Sequence, residues 1–277
     1  MTKFLPSDRS PAPTIDTTKP SIARAYDYAL GGKNNYEVDR ALLDQLNAAV
    51  PEVAIIAVTN RMFLIRAVRF LANQAGMDQY LDCGSGLPTA ENTHQIAQRF
   101  NPETKVVYVD NDPVVLAYGR ALLEENENTH LLDANIYDPP QVLDSAVVNE
   151  HLDFTRPLAL MQVATLHHHS AELGMPPVDV MQNYIDALPS GSYVVFSHFL
   201  DPENEYSELA HRVQSIVGQS MNGAYFRKRS EIEEMIKGLD LVDPGLVITD
   251  DWWPDGPRLE PLQDIAHCIV GCIGRKP

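Results

Sequence analysis

The segment from Tyr80 to Thr89 places an apolar strand directly before a turn that contains two glycines. Its sequence is YLDCGSGLPT, with Asp82 near the end of the apolar run and Gly84 and Gly86 in the turn. Glycine tolerates positive φ and has no Cβ, so it allows the backbone to lie close to a ligand. Such a turn after a strand is typical of α/β proteins that bind a nucleoside. The segment therefore predicts a nucleoside site at the end of a strand.

The kind of nucleoside depends on what the turn offers to phosphate groups. A dinucleotide fingerprint needs a third small residue at position 89 and free amides for a pyrophosphate. Pro88 has no amide proton, and Thr89 stands where that glycine would be. S-adenosylmethionine, which has no phosphates, needs only close backbone approach and a carboxylate for its ammonium group. The sequence favours this ligand, with the expected contacts at Asp82, Cys83, Gly84, Ser85 and Gly86.

Two further apolar runs each end in an acidic residue. The run KVVYVDNDP contains Asp110, whose carboxylate can accept hydrogen bonds from both ribose hydroxyls, and Asn111, whose backbone is expected beside adenine. The run HLLDA contains Asp133, expected to accept from the exocyclic amine of adenine, and Ala134 beside it. Helical periodicity over 89–100 and 113–125 separates the runs. The alternation predicts a parallel sheet with the aspartates at one edge.

These motifs resemble those of a known superfamily. The ordered set Asp82-x-Gly84-x-Gly86, Asp110 and Asp133 is similar to that of class I S-adenosylmethionine-dependent methyltransferases. The run PSIARAYDYALGGKNNYEVDR, residues 20–40, further resembles an actinobacterial S-adenosyl methyltransferase family formerly catalogued as a domain of unknown function, and the similarity covers nearly the whole chain. The resemblance implies S-adenosylmethionine as the cofactor and methyl transfer as the activity, but names no methyl acceptor.

The same resemblance implies the fold. We expect a Rossmann-like three-layer α/β sandwich with a mostly parallel seven-stranded sheet, an antiparallel C-terminal strand and an N-terminal helical cover. Residues 157–163 and 192–199 are the candidates for the fourth and fifth strands. Gln162 and Val163, at the end of the fourth strand, are expected beside the cationic sulfonium of the cofactor.

The first part of the chain divides into an arm and a cover. Residues 1–19 are rich in proline and polar side chains and are expected to form a flexible arm, whereas 20–76 have helical periodicity and 77–277 form the cofactor-binding core. We hypothesise that Arg24, Tyr28 and Asn34 fold over the amino-acid end of the cofactor as a lid. The alternative is a capping element whose polar side chains are satisfied at the surface.

Three consecutive histidines follow the fourth strand. Adjacent side chains point in different directions on any regular element, and no carboxylate pair flanks them, so we expect no metal site. Imidazole can accept a proton near neutral pH, which makes His167 and His168 the candidate general bases. A surface or capping role is the alternative. Trp252 and Trp253 could line an acceptor pocket or serve as packing anchors.

The composition of the chain limits the class of methyl acceptor and the expected cellular location. The 277-residue chain has a formal net charge of −17 and no dense run of basic residues, which disfavours a nucleic-acid substrate. Arg61, Arg66 and Arg69 are spaced like the polar side of an amphipathic helix. Three cysteines and the lack of a signal-like or membrane-spanning apolar stretch favour a cytoplasmic protein, and a homodimer is among the expected assemblies.

Three functions remain open at this stage. The first is a methyltransferase that acts on an unidentified, small-molecule acceptor. The second is a catalytically inactive protein that binds S-adenosylmethionine or S-adenosylhomocysteine in a regulatory or interaction role. The third is a nucleotide-sugar or NAD-dependent enzyme.

Overall fold

The computed structural model describes most of the chain. The described ranges are 15–88, 91–123, 127–221 and 223–277. The predicted flexible arm lies outside them except for residues 15–19, and so does Thr89 at the start of the first predicted crossover helix.

A mixed β-sheet forms the centre of the fold. Its strands within the described residues are β1 (Gln79–Cys83), β2 (Lys105–Asp110), β3 (Thr129–Asp133), β4 (Ala159–Val163), β5 (Tyr193–Asp201), β6 (Arg227–Lys228), β7 (Asp240–Leu241), β8 (Val247–Ile248) and β9 (Ile269–Arg275). Seven of them follow the order β3-β2-β1-β4-β5-β9-β7, while the two-residue β6 and β8 attach to β5 and β9. Strands β1 to β5 are parallel, and β9 is antiparallel to β5. This confirms the predicted mostly parallel sheet with an antiparallel C-terminal strand, and the two short strands β6 and β8 bring the seven predicted strands to nine in the part of the chain that the structure describes.

Helices cover both faces of this sheet. The α-helices within the described residues are α1 (Ile22–Ala29), α2 (Glu37–Ala49), α3 (Ile55–Asn73), α4 (Thr93–Ala97), α5 (Pro113–Leu123), α6 (Pro139–Leu143), α7 (Ala146–His151), α8 (Pro177–Ala187), α9 (Ser207–Ser220) and α10 (Arg229–Met235). Short 3₁₀ helices span Leu166–His168, Ala171–Leu173, Thr249–Asp251 and Asp264–Cys268. None of the described helices is long and apolar enough to cross a membrane.

Side chains of β1 point alternately to the two faces of the sheet, and this shows how the three layers form. Tyr80 faces one side of the sheet and packs in the core that α3 and α4 complete. Leu81 and Cys83 face the other side and pack with residues of α6, α7, α8 and α10. Because successive strand residues point to opposite faces, both faces of a central strand must be apolar when helices cover both. The result is the predicted three-layer sandwich.

The order of the strands reverses at β1. This strand pairs with β2 on one side and with β4 on the other, and the chain progresses outward in both directions from there. In open α/β sheets a crevice forms at such a reversal, beside the carboxyl ends of the strands. Asp110 and Asp133 pair directly in the register of β2 and β3, so both lie at this edge.

The N-terminal cover consists of α1, α2 and α3, which lie within the predicted range 20–76. Leu42 and Leu46 of α2 pack with Val213 and Val217 of α9 in a separate apolar core. This core joins the cover to the C-terminal half of the molecule.

A buried ion pair holds α1 against α2. The Asp39 carboxylate is fully buried and accepts hydrogen bonds from Arg24 Nε at 2.8 Å, from the Ser21 amide at 2.9 Å and from the Tyr36 amide at 2.8 Å. The Arg24 guanidinium also donates to the Lys19 carbonyl at 2.5 Å. One carboxylate thus fixes the start of α1, the start of α2 and the segment that precedes them.

The first predicted crossover helix begins later than the periodicity suggested. Helix α4 begins at Thr93 because Asn92 caps it, with its amide donating to Gln95 Oε1 at 2.9 Å. Helix α9 begins at Ser207, since β5 continues through Asp201, whose carboxylate accepts from Ser207 Oγ at 2.5 Å. A turn at Gly245, where φ is +84°, separates β7 from β8.

The three arginines of α3 have three different roles, so their interpretation as one polar helix face is wrong. Arg66 is buried and donates to the carbonyls of Trp252 at 2.9 Å and Thr249 at 2.7 Å. Arg69 is exposed and pairs with Asp255, whereas Arg61 lines a cavity. Of the two alternatives for Trp252, packing is confirmed, because its ring is fully buried.

We expect Asp39→Ala to destabilise the fold strongly. The substitution leaves the Arg24 guanidinium buried without a carboxylate, and the loss of one partner of a buried pair costs about 3–5 kcal/mol. Urea unfolding at pH 7.5 measures the change. Glu208→Ala is the control, because it removes the exposed pair with Arg212, worth less than about 1 kcal/mol. Equal losses in both variants would contradict the prediction.

Candidate functional site

A cavity of about 850 Å³ lies beside the carboxyl ends of the central strands and beneath the helical cover. Its polar end is lined by Arg61, Asp82, Gly86, Thr93, Asp110 and Asp112. Its other end, the apolar lobe, is lined by Leu42, Leu46, Ile56, Phe199, Val213 and Val217. Single ligand sites commonly measure about 300–1,000 Å³. The volume of this cavity therefore lies within the range of small-molecule sites.

The two glycines after β1 serve different purposes. A Cβ on Gly84 would lie 2.5 Å from Thr165 Cγ2, so this glycine allows the chain after β4 to approach. A Cβ on Gly86 would meet no atom within 4 Å, and this glycine has φ of +64°. The turn therefore leaves open space above Gly86, where a ligand can lie against the backbone.

Asp82 is the buried acidic group of the polar end. Its side chain is 5% exposed, and Oδ2 accepts a hydrogen bond from Thr93 Oγ1 at 2.7 Å. Burial raises the pKa of Asp82 to about 6, against the opposing effects of Thr93 and Arg61. A carboxylate held at such a cost to its charged form is suited to a cationic ligand.

Arg61 brings a cation to the same end of the cavity. It projects from α3, lines the cavity, and donates from Nη2 to the Glu91 carbonyl at 2.8 Å. Its positive charge lowers the pKa of Asp82. The polar end thus offers a carboxylate and a guanidinium near each other, a pair that complements the ammonium and carboxylate of an amino acid.

Asp110 connects the end of β2 to the glycine turn. Its carboxylate accepts from the Gly86 amide at 2.9 Å and from the Asp112 amide at 2.9 Å. Burial raises the pKa of Asp110. Each carboxylate oxygen has two lone pairs, so Asp110 can still accept from hydroxyls of a ligand. Asn111 also lines the cavity.

Asp112 fixes both α5 and the cover. Its Oδ1 accepts from the Val114 amide at 2.7 Å and so caps the start of α5. Its Oδ2 accepts from Ser21 Oγ at the start of α1. The cover therefore docks on the loop after β2, directly beside Asp110.

Some predicted cofactor residues do not line the cavity. Asp133 is exposed at the end of β3, while the next residue, Ala134, does line it. Cys83 lies in the core on the opposite face of β1. Gln162 is buried and accepts from Thr165 Oγ1 at 2.6 Å, whereas Val163 lines the cavity because it is on the other face of β4.

The predicted lid residues also lie away from the cavity. Arg24 binds Asp39, Tyr28 packs in the core between α2 and α9, and the Asn34 amide donates to Asp27 at 2.9 Å. Helix α1 does line the cavity, but through Ser21, Ile22, Ala25, Tyr26 and Ala29. Residues two apart on a helix differ in direction by about 200°, so Tyr26 and Tyr28 cannot face the same side.

Tyr26 links the cover to the strand ends by a chain of hydrogen bonds. Its hydroxyl accepts from Asn60 Nδ2 at 3.1 Å, and Asn60 Oδ1 accepts from Ser197 Oγ at 2.6 Å. Ser197 Oγ in turn accepts from the Ala164 amide at 2.9 Å. Ala164 has φ of +59°, a conformation that non-glycine residues rarely adopt. The network holds this strained residue at the wall of the cavity.

The histidines after β4 line the middle of the cavity. The His167 ring is buried and stacks on Phe199 with centroids 3.5 Å apart. His168 Nδ1 lies 3.0 Å from the Gly223 carbonyl; because a carbonyl only accepts, Nδ1 carries the proton and Nε2 has the free lone pair. Burial lowers the pKa of His168 to about 4 and holds the pKa of His167 well below its ordinary value. Both rings are therefore neutral at pH 7.

No group of three or more His, Cys, Asp or Glu side chains within the described ranges is arranged to hold a metal ion. His198 lies outside the cavity, where its Nδ1 donates to the Phe199 carbonyl at 2.7 Å and Nε2 accepts from Arg227 Nη1 at 2.9 Å. Arg227 Nη2 also donates to the His169 carbonyl at 2.5 Å. These contacts hold residues 167–169 in place from the side away from the cavity.

Sequence reasoning missed Arg61, Thr93, Tyr26 and Asn60 as cavity residues. The position of Tyr26 could have been predicted from the sequence, because Ile22, Ala25 and Ala29 have helical spacing and mark the side of α1 that faces inward. For Arg61 and Asn60, helical periodicity on α3 gives no direction toward a site, because polar residues also mark a solvent face.

The chain is similar to a protein family and to solved structures that fit this geometry. A family model described as S-adenosyl methyltransferase matches residues 8–277. A candidate methyltransferase from Thermobifida fusca YX is 41% identical over 96% of this chain and 98% of its own, with a TM-score of 0.89. A DUF574 family protein from Streptomyces avermitilis MA-4680 is 36% identical over 95% of this chain and 100% of its own, with a TM-score of 0.89. A search of curated proteins finds no match.

We expect Asp82→Asn to stabilise the ligand-free protein at pH 7.5. The pKa of Asp82 rises from an ordinary 3.8 to about 6 on folding, so the ionised carboxylate costs about 3 kcal/mol above pH 6. This cost falls as the pH drops from 6 toward 4, and the advantage of the variant falls with it. Thermal unfolding between pH 5 and 8 measures the difference.

Asp133→Asn is the control for this pH dependence, because Asp133 is exposed. Its unfolding temperature should follow that of the unmodified protein at every pH. An Asp82→Asn variant that is less stable at pH 7.5, or whose advantage does not change with pH, would contradict the assignment of a raised pKa.

Proposed function

Because the chain belongs to the S-adenosyl methyltransferase family, we propose that it methylates a small molecule held in the apolar lobe of its cavity. S-adenosylmethionine is its cofactor. The observation that carries the proposal is the continuity of the cavity, which joins the carboxylates and glycine turn of the polar end to an apolar lobe under the cover.

The residues of the polar end fit the cofactor. Asp82 would hold the ammonium group and Arg61 the carboxylate, since these charges complement each other. Asp110 would accept from the ribose hydroxyls, and open space over Gly86 leaves room for the backbone approach that a nucleoside requires. The backbone of Asn111 and Ala134 would line the adenine.

When bound, S-adenosylmethionine supplies an electrophilic methyl group, whose transfer to a hydroxyl oxygen breaks the bond to sulfur and releases one proton from that hydroxyl. The protein aligns the acceptor and excludes water from the cavity. The strained wall at Ala164 and the Tyr26 network keep the end of β4 in a fixed position. Val163 and Thr165 flank it.

His168 is the proposed general base. Its Nδ1 proton is bound to the Gly223 carbonyl, so the lone pair of Nε2 is available to accept the proton of the acceptor hydroxyl. His167 stacks on Phe199 beside it and shapes the cavity wall. The low pKa of both imidazoles keeps them unprotonated before the reaction.

The net charge of the protein also supports a small-molecule acceptor. The net charge of −17 would repel a nucleic-acid backbone, and the whole cavity has the size of a small-molecule site. We keep the cytoplasm as the proposed location, with Cys83, Cys268 and Cys272 as free thiols. A homodimer stays a prediction that light scattering after gel filtration can test.

Incubation with methyl-deuterated S-adenosylmethionine and a metabolite extract tests the function. We expect a labelled small molecule, found by mass spectrometry, together with release of S-adenosylhomocysteine. Heat-denatured protein is the control. Cofactor binding without any labelled product across broad extracts would favour the binding protein that lacks turnover.

Asp110→Asn should weaken the binding of S-adenosylhomocysteine by about 10- to 100-fold, because hydrogen bonds to a charged group are worth about 1.5–3 kcal/mol. Isothermal titration calorimetry measures this affinity. Asp133→Asn is a matched control at the end of the neighbouring strand and should bind as the unmodified protein does. Equal effects of the two substitutions would show that Asp110 has no special role.

His168→Gln should lower labelled product by about 10²- to 10⁴-fold if His168 is the base, while S-adenosylhomocysteine binds with unchanged affinity. Glutamine keeps hydrogen-bonding capacity but cannot accept the proton at neutral pH. Product that stays within twofold of the unmodified enzyme would exclude His168 as the base.

A further inference from the structure

Most of the charged side chains that line the cavity lie at its polar end. Among the described lining residues, the charged side chains are Lys19, Arg61, Asp82, Asp110 and Asp112. Four of these, all except Lys19, define the polar end, and Lys19 lies two residues before Ser21, which binds Asp112. The cofactor brings an ammonium, a carboxylate and ribose hydroxyls that match this end. The proposed donor site uses Arg61, Asp82 and Asp110, while Asp112 caps α5 and binds Ser21.

The apolar lobe is built from segments far apart in the chain. Leu42 and Leu46 come from α2, Ile56 from α3, Val213 and Val217 from α9, and Phe199 from β5. Ser220 is the polar residue that α9 adds to the wall. No lining residue that α2 or α9 contributes within the described ranges carries a charge.

The polar atoms between the two ends are mostly used by the protein itself. The Tyr26 hydroxyl donates to the Ala57 carbonyl at 3.0 Å and accepts from Asn60, whose amide oxygen accepts from Ser197. His168 differs, because its Nδ1 is bound and its Nε2 lone pair is available. His168 Nε2 is therefore a hydrogen-bond acceptor beside Phe199 of the apolar lobe, and His167 Nδ1 next to it has no hydrogen-bond partner among the described residues.

From this distribution we propose that the methyl acceptor is an uncharged, largely apolar compound whose one reacting hydroxyl binds His168 Nε2. The inference rests on the proposed function and names its substrate class. A charged acceptor would lose its hydration in the apolar lobe and gain no countercharge there, which penalises binding strongly. A neutral ring or alkyl body gains by burying its apolar surface against the leucines and valines.

The stacked rings at the inner wall favour an aromatic body. Phe199 lines the cavity and stacks on His167 at 3.5 Å and on Phe226 at 4.7 Å, so its ring is held rigidly beside His168. A planar hydroxylated ring lying along this surface could place its oxygen near Nε2. The hydroxyl proton passes to Nε2 as the oxygen gains the methyl group, so the positive charge of the donor ends on the imidazole and then in solvent.

Matched probe compounds test the class without any turnover. Calorimetry with protein saturated by S-adenosylhomocysteine compares 2-naphthol with 6-hydroxy-2-naphthoate, which differs by one carboxylate. We expect 2-naphthol to bind at least tenfold more tightly. Equal or tighter binding of the carboxylate, or no binding of 2-naphthol at millimolar concentration, would overturn the proposed class.

A substitution in the apolar lobe provides the second test. Val217→Asp should weaken 2-naphthol binding at least tenfold and leave S-adenosylhomocysteine affinity within twofold, because the carboxylate then occupies the lobe and not the polar end. Val217→Thr keeps the shape without a charge and is the control. Unchanged naphthol binding in Val217→Asp would place the probe elsewhere and reject the lobe as its site.

Failure of this inference can be separated from failure of the proposed function. S-adenosylhomocysteine binding is measured first and on its own, so its absence would count against the methyltransferase site itself. Intact cofactor binding together with a preference for the charged naphthoate would reject only the acceptor class. Should Val217→Asp fail to fold in a thermal melt, the comparison of the two naphthalene compounds on the unmodified protein still decides the question.

Discussion

The docking of α1 on the strand ends is the interaction on which the site depends. Ser21 binds Asp112, which caps α5, and Tyr26 reaches Ala164 through Asn60 and Ser197. Without α1 the cavity would be an open crevice at the edge of the sheet, as in any parallel α/β fold. The cover adds a wall to that crevice, and electrostatic interactions are stronger where the wall removes solvent.

Burial of a carboxylate beside the cavity destabilises the ligand-free protein. Asp82 lies 5% exposed beside the cavity, and its charged form is destabilised by burial although Thr93 donates to it. A bound ammonium group would relieve this, because an opposite charge within a few ångströms favours the carboxylate. The same residue thus weakens the empty protein and strengthens the complex, a common relation between stability and function.

The sequence allowed the sheet and one half of the site to be predicted, for a physical reason. Strand ends are marked by a period of two and by the turn that follows, so Asp110 and the residues Gly84 to Gly86 could be placed at one edge before any coordinates. Asp133 shows the limit of this reasoning: it occupies the expected strand end, yet its side chain is exposed and Ala134 lines the cavity instead. The sequence therefore predicts where a residue lies along a strand, but it does not predict which way a side chain at the end of the strand points.

The cover shows a second limit, and it explains why the donor is easier to recognise than the acceptor. Arg24 and Tyr28 are as polar as Tyr26, but their direction on α1 depends on its rotation against α2 and α3, which the Arg24–Asp39 pair determines. The apolar lobe depends on the same packing, since leucines and valines of α2 and α9 resemble ordinary core residues in the sequence. Most of the proposed donor-binding groups lie at the ends of β1 to β3, with Arg61 of α3 as the exception, while the proposed acceptor-binding surface exists only after helices distant in the chain have met. A fold that separates the two in this way can keep one cofactor and change its acceptor by substitutions of apolar residues alone.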